Sequence, residues 1–157
     1  MNTNFKTNFI GSSVTDEMEE TELIGEKIGH LLKPGQVVAL MGELGAGKTC
    51  ITRGIARGVG VSSNEKVNSP TFVIMQRYSG KMTVYHADVY RMETSEDLFN
   101  LDLFEMAEEG ILIIEWADKF IDDMPEKTIF VELKYLSESK REIAVFSNSK
   151  NIQSLKF

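Results

Sequence analysis

Residues 42–49 read Gly-Glu-Leu-Gly-Ala-Gly-Lys-Thr, and this stretch restricts the fold more than any other part of the chain. The spelling is glycine, four residues, then Gly-Lys-Thr, the pattern of a phosphate-binding loop. Glycines let the backbone curl until several N–H groups converge on phosphate oxygens. The helix that follows adds the positive end of its dipole. Lys48 is placed to reach the β- and γ-phosphates, and Thr49 to offer a hydroxyl to Mg²⁺. The motif needs a strand before it and a helix after it. Val37-Val38-Ala39-Leu40-Met41 is an apolar run of strand type, and Lys48–Arg57 reads as a helix. A plain glycine-rich turn with an exposed lysine would not require that context. Contacts to a bound nucleoside triphosphate are expected along Glu43, Leu44, Gly45, Ala46, Gly47, Lys48, Thr49 and Cys50.

At 157 residues the chain is expected to form one domain around one core. Asn4–Ser12 alternates weakly and reads as an edge strand or an irregular lead-in. Ser13–Glu22 is acidic and reads as the solvated start of a helix, whose apolar face is Leu23, Ile24, Ile28, Leu31 and Leu32. Pro34-Gly35 stops that helix, and Gly58-Val59-Gly60 stops the next. Phe72–Tyr78 and Lys81–Val89 form a predicted hairpin around Ser79-Gly80, so the sheet is not wholly parallel. Thr94-Ser95-Glu96-Asp97 resembles a helix cap ahead of Leu98, Leu101 and Phe104 or Glu105 at helical spacing. Ile111–Ile114 is a strand buried on both faces and ending in Glu115. Thr128–Leu133 and Glu142–Phe146 read as a closing pair of strands, and residues 148–157 as a loose tail. The expectation is an α/β, three-layer P-loop fold with a parallel core and antiparallel additions, its ligand at the carboxyl ends of the parallel strands.

Composition narrows the partners. Net charge is −7, from 24 acidic and 17 basic residues, which opposes independent binding to a nucleic-acid backbone. No apolar run is long enough to span a membrane, and Met1–Ile10 lacks the regions of a signal peptide. The single cysteine, Cys50, excludes an internal disulfide and reads as a buried structural thiol. A cytoplasmic location is the simplest expectation.

A phosphate loop needs a carboxylate at the end of a neighbouring buried strand to handle Mg²⁺. Glu115 is the candidate, and Trp116 beside it reads as a half-buried core aromatic or a nucleotide or partner contact. In Tyr85–Arg91 the side chains of 86, 88 and 90 share one strand face. His86 and Asp88 thus face the triphosphate together, Asp88 holding the metal through water or orienting the attacking water, or else they belong to a polar edge strand. Ser69-Pro70-Thr71-Phe72 offers two hydroxyls beside a rigid proline, a γ-phosphate sensor or simply a turn before a strand.

Together these pieces resemble the TsaE (YjeE) family, small bacterial P-loop ATPases of tRNA modification. The matching features are Glu20-Thr21, Gly42–Thr49, Ser69-Pro70-Thr71-Phe72, His86-Ala-Asp88-Val-Tyr90-Arg91 and Ile114-Glu115-Trp116, in the family's order over about residues 12 to 120. The resemblance implies ATP and Mg²⁺ as cofactors. It also implies a role in forming N6-threonylcarbamoyladenosine at position 37 of tRNAs that read codons starting with A. It implies a TsaD–TsaB complex as partner, with tRNA met only through that complex. Lys48, Asp88 and Glu115 stand as the catalytic set, Thr49 and Glu115 as the metal pair. Thr21, Ser69, Thr71, His86, Arg91 and Trp116 stand as switch, nucleotide or partner contacts. Asp118 departs from the family, which usually carries Glu there.

Two rivals lack their residues. A small-molecule kinase wants arginines on a lid, and the five arginines include no two close enough to read as one. A GTPase wants Asn-Lys-x-Asp and Asp-x-x-Gly, and the chain has neither. A nucleotide-dependent binding module with negligible turnover is the third alternative. No arginine finger in cis is evident, so an ATPase of this kind is expected to be weak alone and stimulated by its partners.

Overall fold

The computed structural model describes residues 7–70 and 74–157. Seven strands form one sheet in the order β1-β7-β6-β2-β5-β4-β3. Its centre is parallel: β2 (Val37–Met41) lies between β5 (Ile111–Glu115) and β6 (Ile129–Tyr135), and β4 (Val84–Asp88) runs parallel to β5. Antiparallel strands flank it, β3 (Met75–Tyr78) on β4, and β7 (Arg141–Phe146) between β6 and β1 (Phe9–Thr15). Every residue of β2 and β5 is buried, as continuous branched apolar runs require of strands covered on both faces. Val38, Leu40, Ile111 and Ile113 join the core under α1 (Met18–Leu31) and α2 (Lys48–Gly58). Val37, Ala39, Leu112 and Ile114 join the opposite core under α3 (Ser95–Phe99), α4 (Leu103–Met106) and the 3-10 segment Ala117–Asp123. The result is the expected three-layer α/β arrangement with a mixed sheet.

Several local expectations change. The acidic stretch is not all helix: β1 runs on to Thr15, paired with Arg141 of β7, and α1 begins only at Met18. Leu23 is 52% exposed, whereas α1 buries Thr21, Ile24, Gly25, Ile28 and Gly29. The reason lies in α2. Gly25 and Gly29 of α1 meet Gly54 and Gly58 of α2, and a Cβ added at any of the four would come closer than 3.0 Å to backbone of the other helix. Ile24, Ile28, Leu31 and Leu32 pack in the core as the spacing suggests, and only Leu23 falls outside the main-chain contact.

The helix capped by Thr94 has its capping box with Asp97, but it splits into α3 and α4 around Asp102 at φ 51°. Thr71 and Phe72, part of the expected switch segment and hairpin, lie outside the described residues. The segment 148–157 is not a loose tail. Ile152 is fully buried, Leu155 joins the core, and Asn151 Nδ2 donates to Leu31 O at 2.5 Å at the end of α1. Among the described residues no helix is long and apolar enough to cross a membrane.

Gly54→Ala tests the helix contact. Helix propensity alone favours alanine by about 1 kcal/mol, but the new methyl must displace Glu22 backbone, and overpacking of this kind costs about 1–3 kcal/mol. Urea unfolding is expected to show a net loss of stability. A variant as stable as the parent, or more so, would refute the backbone contact.

Candidate functional site

The loop 42–49 carries β2 directly into α2, with Gly42, Gly45 and Gly47 at φ 149°, 80° and 104°. These are left-handed conformations that glycine alone adopts without strain. At Gly42 a side chain would also strike Leu133 O at 2.5 Å. Gly47 is the N-cap of α2, so the first free N–H groups of the helix face the loop's concave side. A cavity of about 790 Å³ opens over the loop, within the range of small-molecule sites.

Lys48 is only 5% exposed. Its Nζ donates to Gly42 O at 2.5 Å and Glu43 O at 2.9 Å, and lies 3.8 Å from the centre of the Trp116 ring. Burial pushes the ammonium below the usual lysine range, against the pull of Glu115, Asp118, Asp88 and Glu43. Among the described residues no carboxylate forms an ion pair with it. A desolvated cation satisfied only by carbonyls and a ring face, beneath an open cavity, suits an anionic ligand.

Thr49 Oγ1 donates to Glu115 Oε1 at 3.1 Å, which brings together the two residues expected to form the metal pair. The described residues hold no cluster of three His, Cys, Asp or Glu able to ligate a metal. Asp88 lies opposite Glu115 in the strand register. Its Oδ1 accepts from Tyr90 N at 2.9 Å and its Oδ2 from Ser69 Oγ at 3.3 Å.

Neither His86 nor Asp88 lines the cavity, and Asp88 is buried at the end of β4. His86 is fully buried below Glu115, with Nε2 2.9 Å from Oε1, and it does not line the cavity. The alternation of β4 gives its face correctly but not its depth. Trp116 does line the cavity, in a left-handed conformation at φ 63° with its ring 4.8 Å from that of Tyr90. Ser69 and Thr21 also line it, and Thr21 is tied to Thr15 by a 2.8 Å hydroxyl contact. Exposed Arg91 is not part of its wall, and Thr71 lies outside the described residues. Within the loop, Leu44 is 89% exposed at the tip, while Glu43 and Ala46 shape the turn through Ala46 N to Glu43 O at 3.0 Å.

Sequence reading missed the wall opposite Glu115. Arg141 of β7 reaches over the loop, Nε donating to Gly45 O at 3.1 Å and Nη1 to Ser137 O at 2.7 Å. Glu138 and Ser139 of the adjoining turn complete that wall with Met18 of α1. No local pattern marks Arg141; its pairing with Thr15 of β1 and Tyr135 of β6 brings it here. Asp118, pushed above the usual carboxylate range by burial, accepts a bond from the Gly42 backbone, so aspartate in place of glutamate still reaches the loop.

A three-layer α/β domain with a mixed sheet, organised around a phosphate-loop motif, is the class that this fold and site define. A family model, "Threonylcarbamoyl adenosine biosynthesis protein TsaE", matches residues 15–143. The chain is 39% identical to the tRNA threonylcarbamoyladenosine biosynthesis protein TsaE of Treponema pallidum, over 84% of this chain and 97% of that protein. It is also 39% identical to the Bacillus subtilis protein of the same name, over 80% of this chain and 78% of that one. The crystal structure of Bacillus subtilis YdiB superposes with a TM-score of 0.77 at 30% identity, covering 97% of this chain and 94% of that one. The chain belongs to the TsaE family. The match continues past Phe120 to residue 143, so it includes β6 and Arg141, which the quoted motifs did not reach.

Cys50 gives a check on the packing beneath the loop. Its Sγ donates to Met18 O at 3.3 Å, and burial, aided by Glu22, pushes the thiol up to about 11. The reactive thiolate is then roughly a hundredfold scarcer at pH 8 than for an ordinary cysteine. Iodoacetamide should alkylate the native chain about that much more slowly than the chain in guanidinium. Comparable rates in the two states would show that α1 does not cover Cys50.

Proposed function

We propose that this chain is a Mg²⁺-dependent ATPase that serves formation of N6-threonylcarbamoyladenosine at position 37 of tRNA. It is weak alone and works with a TsaD–TsaB transferase complex. The observation that carries the reading is the meeting of Thr49 and Glu115 beside the buried Lys48, under one cavity at the carboxyl end of β2. Membership of the TsaE family supports the tRNA pathway, and the names of the relatives state it of those proteins. The net charge of −7 supports contact with tRNA through partners.

Lys48 exchanges its bonds to Gly42 O and Glu43 O for phosphate oxygens, while the loop N–H groups hold the polyphosphate in place. Thr49 and Glu115 would hold Mg²⁺, which would supply screening of the phosphate charge there. Asp88 would orient the attacking water, held in place by its bonds from Tyr90 N and Ser69 Oγ. Tyr90 and Trp116 shield the site from bulk water. Arg141 engages the carbonyls of Gly45 and Ser137 rather than pointing a free guanidinium edge at the phosphates, which favours slow turnover without a partner. The same observation keeps a nucleotide-dependent binding module as the second reading.

ATP turnover with and without the TsaD–TsaB complex separates the two. The ATPase reading expects stimulation, by up to about 10³–10⁵ if the partner supplies an arginine; equal, negligible rates leave only the binding module. Lys48→Ala should weaken triphosphate binding at least about tenfold and abolish turnover. Asp88→Ala should keep nucleotide affinity within about threefold and lower turnover by about 10²–10³; Glu115→Ala should lower turnover as much, keep affinity in EDTA within about threefold and lose the part of the affinity that depends on Mg²⁺. Unchanged turnover in Asp88→Ala would remove that residue from the site.

A further inference from the structure

We propose that His86 is a positioning residue for the metal carboxylate: from inside the core it fixes Glu115 so that one oxygen faces the cavity. This rests on the reading of Glu115 as the Mg²⁺ carboxylate. His86 is 0% exposed on the face of β4 turned toward α2, a place that otherwise takes apolar side chains such as Val84 and Ile113. Its Nε2 lies 2.9 Å from Glu115 Oε1, and a carboxylate only accepts, so Nε2 carries the proton and donates. Nδ1 is buried without a partner among the described residues. A buried polar nitrogen left unpaired costs stability, and an apolar residue would avoid that cost.

Glu115 Oε1 receives two donors from two elements, His86 from β4 and Thr49 from α2. Two donors on one oxygen stop the carboxylate from rotating about its terminal bond. Oε2 then has no partner among the described residues, while Glu115 itself lines the cavity. Thr49 can give a hydroxyl lone pair to a cation and keep its O–H on Oε1, but that restraint then moves with the ligand that pulls on it. His86 is the restraint that stays, because it never touches the ligand. It therefore acts through Glu115, in the manner of partners that orient metal ligands from behind.

The test measures metal coupling, not activity. A non-hydrolysable ATP analogue is titrated into the folded chain by calorimetry, once with Mg²⁺ and once with EDTA; the ratio of the two affinities is the coupling. His86→Phe fills the space and removes the donor, whereas His86→Gln places an amide N–H where Nε2 stood. The expected result is a coupling reduced about 10–100-fold in His86→Phe, with EDTA affinity within about threefold of the parent. In His86→Gln the coupling returns to within about threefold. Unchanged coupling in His86→Phe, or equal loss of affinity with and without Mg²⁺ in both variants, would overturn the proposal in favour of a core-packing histidine. If His86→Phe does not fold, His86→Asn, whose amide is too short to reach Glu115, takes its place against His86→Gln. Equal coupling in that pair would overturn the proposal as well. A parent chain whose affinity ignores Mg²⁺ would instead remove the metal reading of Glu115.

Discussion

The main-chain contact between α1 and α2 is the constraint on which the site depends. Gly25 and Gly29 on one helix and Gly54 and Gly58 on the other remove the side chains that would hold the axes apart. Helix pairs ordinarily pack 8–10 Å apart, with the distance set by the residues at the contact. Here α1 comes close enough for its start to reach the cavity over the loop, where Glu17, Met18, Glu19 and Thr21 form part of the wall. It also covers Cys50 and the start of α2. Without that approach the loop would still curl, but one side of its cavity would be open to solvent.

The central strands supply the second half of the arrangement. The parallel register sets Leu40 of β2 beside Glu115 of β5, and Glu115 beside Asp88 of β4. Three strand ends therefore deliver the loop, a carboxylate and a second carboxylate to the same rim without help from distant segments. Lysine burial, the Thr49–Glu115 bond and the ring of Trp116 all follow from that delivery.

What was legible in the sequence was local. The strand–loop–helix around Gly42–Thr49 and the buried run ending at Glu115 could be read because each carries its own pattern over fewer than about a dozen residues. The hairpin of β3 and β4 was legible in outline from Ser79-Gly80. The buried face of α1 was legible in Ile24, Ile28, Leu31 and Leu32 but not in Gly25 and Gly29, which make the closest contacts, and spacing wrongly counts Leu23. The break at Asp102 rests on one backbone angle that composition does not signal. His86 was placed on the correct strand face, but how deep it lies depends on Tyr78 and Ile113 from neighbouring strands. The packing of Ile152 and Leu155 likewise depends on surfaces built by earlier parts of the chain.

The grip of Arg141 on Gly45 makes the far edge of the sheet part of the ligand cavity. Arg141 sits in register with Thr15 of β1 and Tyr135 of β6, and its guanidinium rests on the Tyr135 ring at 4.6 Å. Whatever fills the loop and stills Gly45 is thereby felt two strands away from β2. Amide exchange at the β1–β7 border, from Ser12 and Ala144 outward, becomes a remote gauge of occupancy, recorded on residues outside the cavity wall.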